Sequence, residues 1–401
     1  MPATPYTSTL AKNIIKMKTK HFLLTILIIT GQQSFAQTYP TFGTEIPVTI
    51  SGLTFDAMEP SISTDGNYIF FNSLNNGTTT SLFYATKVND STFTYTGGLI
   101  GANQIVTPRL DAVASSDSAN NFFWTSTRNF PTQFDNCFHG TFNGTDVVNI
   151  GRLHGTFYIY SAGWLMMDAA INYSGNLLYY TNAYFGPTYA GCGGIPCQAK
   201  LGVAQKQNDS TFNKLSNSDG IMQNINDTNY VVYAPNVSKN GLELYYTRVL
   251  KSNISLGTQI CVSVRTNLTD TFSLPSTFHP FSTLTPEATT LTSDQLKIYY
   301  HKKSGGLYKL FLRYRTSTTE INEIGNIEDI TIFPNPSSNI VQVNLPNLHQ
   351  IFSIVVYSPI GQQVLETSDK TIIDISNFAN GVYILALKQG NKNWTTKIVK
   401  Q

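Results

Sequence analysis

Polar and apolar positions alternate along most of the chain in short runs, broken repeatedly by Gly, Asn, Asp and Ser. Five stretches leave that alternation in the same way: a half-polar lead, a turn, then an apolar run that ends in two aromatic rings. They read EPSISTDGNYIFFNS (59–73), AVASSDSANNFFWTS (112–126), DAAINYSGNLLYYTN (168–182), APNVSKNGLELYYTR (234–248) and ATTLTSDQLKIYYHK (288–302), at successive offsets of 53, 56, 66 and 54 residues. A repeat of this period is one supersecondary unit, able to bury its apolar face only against its neighbours. The units continue into a second alternation (SLFYAT at 81, QICVSV at 259, GLYKLF at 306) and then a recurring phrase, NDSTFTY at 89, NDSTFNKL at 208 and TDTFSLP at 269. Turn residues at every joint between short β-branched and aromatic runs predict four-stranded antiparallel units.

A strand with one wet face alternates, whereas a strand covered on both faces reads as an unbroken apolar run. The inner strands of propeller blades are covered in this way by the neighbouring blades. The pattern therefore predicts an all-β chain with a five-bladed β-propeller over 37–316. The pairs Phe70-Phe71, Phe123-Trp124, Tyr179-Tyr180, Tyr245-Tyr246 and Tyr299-Tyr300 are then expected between blades, not in solvent as sugar-stacking platforms. The fifth unit lacks its final phrase, which instead occurs near the beginning, in YPTFGTEIPVTI. Thr41 to Val48 is thus expected to pair beside Leu307 to Arg313 and close the ring, since closure leaves no free edge. A degenerate sixth blade has little sequence left to supply it. The long offset of 66 is accounted for by a loop in which Cys192 and Cys197 bracket GGIP, a spacing that predicts a local disulfide. Cys137 and Cys261, in strand-like segments, are expected as buried thiols, and no cysteine or histidine spacing suggests zinc.

Composition narrows the function. Charged residues make up 12% of the chain, against about 25% in average domains, so attraction to nucleic acid or an anionic lipid surface is weak. The one charge asymmetry is Lys12, Lys16, Lys18 and Lys20 ahead of FLLTILIIT and GQQSFAQ. A basic flank, a short apolar core and small residues at 34 and 36 predict a signal peptide over 1–36, with Met17 as the expected true start. The apolar run is too short for a membrane span, which needs about 20 residues, so no transmembrane segment is expected in the mature chain. Its removal takes away four lysines and no acid, leaving 22 basic and 24 acidic residues.

Two resemblances follow from these residues. Glu59, Pro60, Ser63, Asp65 and Gly66 match the repeat of TolB-like, or WD40-like, propellers, and the other copies drift from it at the turn. This resemblance spans roughly 38 to 316 and speaks to fold alone. Past a polar linker, 317–326, residues 327–401 carry short alternating strands that predict a small immunoglobulin-like β-sandwich. This segment resembles the C-terminal sorting domain of type IX secretion substrates of Bacteroidetes. The resemblance is carried by Phe333, Pro334, Asn335 and Pro336, by YSPIGQQV with Gly361, by ISNFANGVY with Asn380, Gly381 and Tyr383, and by the terminal Lys397 and Lys400. It implies Sec export to the periplasm, passage through the outer membrane by the type IX machinery, and removal of the tail by a sortase-like enzyme. The destination is then the medium or the cell surface.

Catalytic signatures are missing: G-x-S-x-G, H-E-x-x-H and the phosphate-binding G-x-x-x-x-G-K-[ST] do not occur, and His139, His154, His279 and His301 stand apart in sequence. One constellation remains, the acids at or beside the start of the repeated strand: Glu59, Asp111, Asp168 and Glu287. Brought together at a central channel they would raise one another's pKa and suit a ligand, a divalent cation or the acid and base of a glycosidase, for which Glu59, Asp168 and Glu287 are the catalytic candidates. Five-bladed propeller glycosidases use such a channel. The plainer expectation is that these acids accept backbone hydrogen bonds from the adjoining blade. No cofactor is expected. The sequence thus favours a binding or scaffold propeller with a surface glycan or protein as ligand, and the alternative is a glycan-degrading hydrolase.

Overall fold

The computed structural model describes residues 38–316, 331–344, 352–359, 361–389 and 392–401. The expected signal peptide and the linker 317–326 lie outside the described residues. The chain divides into two compact units, Met1–Arg315 and Thr316–Gln401.

The first unit is nearly all β and holds five sheets in chain order. Sheet 1 runs Met58–Ile62, Tyr68–Asn72, Leu82–Asn89 and Thr92–Gly98; sheet 2 runs Arg109–Ser116, Asn121–Ser126, Cys137–Phe142 and Val147–Arg152. Sheet 3 runs Trp164–Ile171, Leu177–Tyr184, Gln198–Asn208 and Thr211–Lys214; sheet 4 runs Tyr230–Val237, Glu243–Leu250, Thr258–Val264 and Ser276–Ser282. Sheet 5 has Glu287–Leu291, Lys297–Ser304 and Leu307–Thr316, and its fourth position is filled from the start of the chain. Thr41–Phe42 and Ile46–Pro47 both pair with Leu307–Thr316, with Ile46 opposite Leu312. The Val48 amide donates to the Leu310 carbonyl at 2.9 Å and the Gly43 amide to the Tyr314 carbonyl at 2.9 Å. The N-terminal strand therefore lies where the missing phrase of the fifth unit placed it.

The aromatic pairs explain how the sheets join. All ten rings are buried. Successive side chains of a strand point to opposite faces, so the two rings of a pair serve two different interfaces. Phe123 packs in the core shared by sheets 2 and 3, and Trp124 in the core shared by sheets 1 and 2. Tyr179 lies between sheets 3 and 4 while Tyr180 lies between 2 and 3; Tyr245 lies between 4 and 5 while Tyr246 lies between 3 and 4. Tyr299 and Phe71 share the core between sheets 5 and 1, together with Val48 of the N-terminal segment. Each sheet thus contacts the next, and the last contacts the first, in a propeller-like arrangement. Cys137 and Cys261 are buried free thiols, and Cys192 is joined to Cys197 in the loop after Tyr184.

Turn chemistry follows the same logic. Asp65 accepts from the Ser63 hydroxyl (2.6 Å) and the Asn67 amide (3.0 Å), and Gly66 adopts a φ of +75° that favours glycine. Asp65 is thus a turn residue.

The second unit pairs a three-stranded sheet (Thr331–Phe333, Ile340–Asn344, Ile372–Asp374) with a four-stranded one (Gln363–Ser368, Ser353–Tyr357, Gly381–Gln389, Lys392–Lys400). Strand alternation turns Val341, Val343, Ile354, Val356, Leu385 and Ile398 into one shared core. The Pro-Asn-Pro segment holds the terminal strand. The Asn335 side chain donates to the Lys397 carbonyl at 2.7 Å and accepts from the Val399 amide at 2.8 Å, while the Ser337 amide donates to the Val399 carbonyl at 2.9 Å. Tyr383 donates its hydroxyl to the Ala379 carbonyl at 2.8 Å, ahead of Asn380 and Gly381. Phe333 and Lys397 are exposed, Lys400 is buried, and Gly361 takes a φ of +81°.

The channel mouth as candidate functional site

The innermost strand of every sheet carries a register shift against its neighbour. Such a bulge leaves one residue unpaired and turns its amide away from its own sheet. At four of the shifts the extra residue has positive φ: Glu59 (52°), Val113 (57°), Ala234 (51°) and Ala288 (50°). The freed amide is satisfied by the preceding sheet. Val113 N–H donates to Asn72 Oδ1 at 3.3 Å, Ala234 N–H to Asp168 Oδ2 at 3.0 Å, Ala288 N–H to Thr247 Oγ1 at 3.2 Å, and Glu59 N–H to His301 Nδ1 at 3.0 Å. The last bond joins sheet 1 to sheet 5 across the closure of the ring. A few residues further along, a second set repeats the device: Ile171 N–H to Ser115 Oγ (3.0 Å), Leu291 N–H to Asn236 Oδ1 (3.0 Å) and Ile62 N–H to Thr290 Oγ1 (3.1 Å).

These registers place the four candidate acids. Glu59 is the unpaired bulge residue after Met58, which pairs with Asn72, whereas Asp168 pairs with Thr181 beside its bulge and Glu287 pairs with His301 one residue before its own. Glu59, Asp168 and Glu287, from sheets 1, 3 and 5, lie close enough to perturb each other. Asp111 does not join them. Its carboxylate accepts from the Gln104 amide at 2.7 Å and lies 3.8 Å from Arg128, so three of the four candidate acids come near one another and the fourth does not.

Burial dominates the electrostatics. Glu59 is 9% exposed, one oxygen accepts from Asn75 Nδ2 at 2.9 Å, and the other is buried without a partner among the described residues. Loss of hydration, then the nearby Asp168 and Glu287 carboxyls, push its pKa up to about 8. Burial likewise raises Glu287 to about 7, with the Tyr233 hydroxyl hydrogen-bonded to it and opposing the shift. Asp168 is raised to about 6 by burial, opposed by its bond from the Ala234 amide. His301 is fully buried, and burial lowers its pKa to about 3, so it is a neutral acceptor for the Glu59 amide. At neutral pH the group therefore holds protons on Glu59 while Asp168 is ionised. Such a set has the charge states of an acid and base. Access decides what it can do. The channel between the five inner strands, lined by Glu59, Ser61, Ala114, Ala169, Pro235 and Thr289 among others, has a cavity of about 30 Å³, room for water and not for a sugar ring.

Sequence reasoning named the acids and missed Tyr233 and His301. His301 follows the aromatic pair of the fifth unit directly, in the slot that Asn72 fills in the first. The gap-free alignment of the repeats already sets His301 against Asn72, but no local pattern shows that its ring meets the Glu59 amide. Among the described residues no group of three or more His, Cys, Asp or Glu is arranged to hold a metal ion.

Comparison with known proteins bears on the tail. Residues 331–401 match the secretion system C-terminal sorting domain family. That match supports export by the type IX system to the medium or the cell surface, and no helix among the described residues is long and apolar enough to cross a membrane. No curated protein sequence matches the chain. Among solved structures, the chain is similar to the catalytic domain of a Coprinopsis cinerea GH62 α-L-arabinofuranosidase (13% identity, 69% of this chain and 95% of that one, TM-score 0.41). It is also similar to an exo-β-1,3-galactanase of Phanerochaete chrysosporium (10% identity, 89% and 94%, TM-score 0.40). A third likeness is to TolB of Acinetobacter baumannii (10% identity, 66% and 55%, TM-score 0.35). At these identities and scores none of the three transfers an activity to this chain.

Proposed function

We infer that the protein is a five-bladed β-propeller of the TolB-like kind, carried out of a Bacteroidetes cell by an immunoglobulin-like sorting domain, and that it works as a binding or scaffold module on the surface or in the medium. The type IX machinery and a sortase-like enzyme are its handling partners. The observation that carries the binding reading is the narrow channel: a cavity of about 30 Å³ and carboxyls of Glu59 and Asp168 that are buried and engaged by Asn75 and by the Ala234 amide. A buried carboxyl such as that of Asp168, held by the Ala234 amide of the next sheet, fixes the blades, and recognition falls to the loops on the channel-mouth face. The hydrolase reading draws on the raised pKa values of Glu59, Asp168 and Glu287. The double variant Glu59→Ala/Asp168→Ala tests the choice in the full mature chain, against a panel of surface and plant polysaccharides. Binding that survives supports the module. Hydrolysis of a defined polysaccharide that disappears in the variant establishes the enzyme instead.

A further inference from the structure

Sheets 3 and 4 part at the channel-mouth face and leave a cleft of about 430 Å³, within the range of small-ligand sites. Trp164 and Tyr230 open the innermost strands of the two sheets and stand in its walls. Asp168 lies four residues beyond Trp164 on the same strand, so the cleft opens at the end of the ring where the carboxyls gather. Both rings are partly exposed and both are fixed from behind. Trp164 packs on Tyr184 with ring centres 5.2 Å apart, and the Arg248 guanidinium lies 4.2 Å from the centre of the Tyr230 ring. Arg248 is itself tied by Nε to Gln259 at 2.8 Å. The wall that carries Gln198 and Lys200 begins at the disulfide loop, where the Cys197 amide donates to the Tyr184 carbonyl at 2.7 Å.

Beside the rings the lining also carries polar groups. Gln198, Lys200, Asp227 and Lys251 line the cleft and are exposed. A purely apolar ligand would leave these groups without partners, and an inorganic ion would make no use of the rings. A sugar fits both, with an apolar C–H face to lay on a fixed aromatic plane and hydroxyls for the amide, carboxylate and ammonium groups. We propose that the cleft between sheets 3 and 4 is a saccharide-binding site, with Trp164 and Tyr230 as stacking platforms and Gln198, Lys200, Asp227 and Lys251 as hydroxyl contacts. This rests on the binding reading above and gives it a place and a ligand class.

Calorimetric titration of the mature full chain with cellotetraose, xylotetraose and tetragalacturonate tests it. At least one probe binds, and Trp164→Ala and Tyr230→Ala each weaken it by about tenfold or more. Gln198→Ala and Lys251→Gln leave the aromatic packing alone and weaken it by about threefold or more. Tyr160→Ala, an exposed ring of the same region that does not line the cleft, leaves affinity unchanged. Failure of all three probes to bind, or binding that is unchanged in all four cleft variants, overturns the site. A reducing-end assay on the same samples separates the two levels. Probe cleavage abolished by Glu59→Gln overturns the binding reading, whereas unchanged affinity in the cleft variants overturns the cleft alone.

Discussion

Replacing Glu59 by Gln keeps the side chain's length and its acceptor for Asn75 Nδ2, and removes one proton equilibrium from the centre of the ring. The folded carboxyl has a pKa of about 8, against 4.5 when it is exposed. Between those values the folded state holds a proton that the unfolded chain has lost. Stability from this group is therefore complete below pH 4.5 and falls as pH rises to 8. At pH 7 the loss is about 3 kcal/mol, from about 1.36 kcal/mol for each pH unit above 4.5. Gln suffers no such loss. Glu59→Gln should gain about 3 kcal/mol on the wild type between pH 4 and pH 7, which at about 2 °C per kcal/mol for a large domain is a Tm difference growing by about 6 °C. Asp168 and Glu287, raised to about 6 and 7, leave the variant a shallower decline of the same sign. Thermal melts of both proteins at pH 4, 5.5, 7 and 8.5 measure it. Parallel Tm profiles, or a wild-type Tm that climbs from pH 5 to pH 8, would refute the buried network.

Three further outcomes follow from other contacts. His301→Ala leaves the Glu59 amide without its acceptor at the seam of sheets 5 and 1 and should cost about 2 kcal/mol or more in denaturant unfolding, with Thr247→Val, at an equivalent seam, behaving alike. Asn335→Ala removes both side-chain bonds from Asn335 to the terminal strand and should speed exchange of the Val399 amide by about tenfold or more while leaving the first unit's melt unchanged. Deleting Ile327 to Gln401 should leave the protein in the periplasm, and its undiminished appearance in the medium or on the surface would remove the tail's role as an address.

The ring was legible because each unit announces itself locally. A turn followed by two adjacent rings can serve two interfaces only if both faces of that strand are covered, and the displaced TF phrase pointed Thr41 to Val48 at sheet 5. The site was legible only in part. Composition marks Glu59, Asp168 and Glu287, but a bulge shifts a side chain by one residue without leaving a trace in the spacing, and so Asp111 looked equivalent and is not. His301 is joined to Glu59 across 242 positions, a pairing created by ring closure and by no local pattern. Trp164 and Tyr230 were silent for the same reason, since each is a single ring at a strand start until two sheets bring their walls together.

Closure by the N-terminal strand underlies the buried carboxyls, the seams and the cleft alike. Hydrogen exchange followed by mass spectrometry over the peptide containing Gly43 to Val48 tests it directly. The account predicts that the Gly43 and Val48 amides, bonded to the Tyr314 and Leu310 carbonyls, are protected about as strongly as the amides of Lys297–Ser304. Exchange of that segment at the rate of an unstructured peptide, with Leu307–Thr316 still protected, would contradict it.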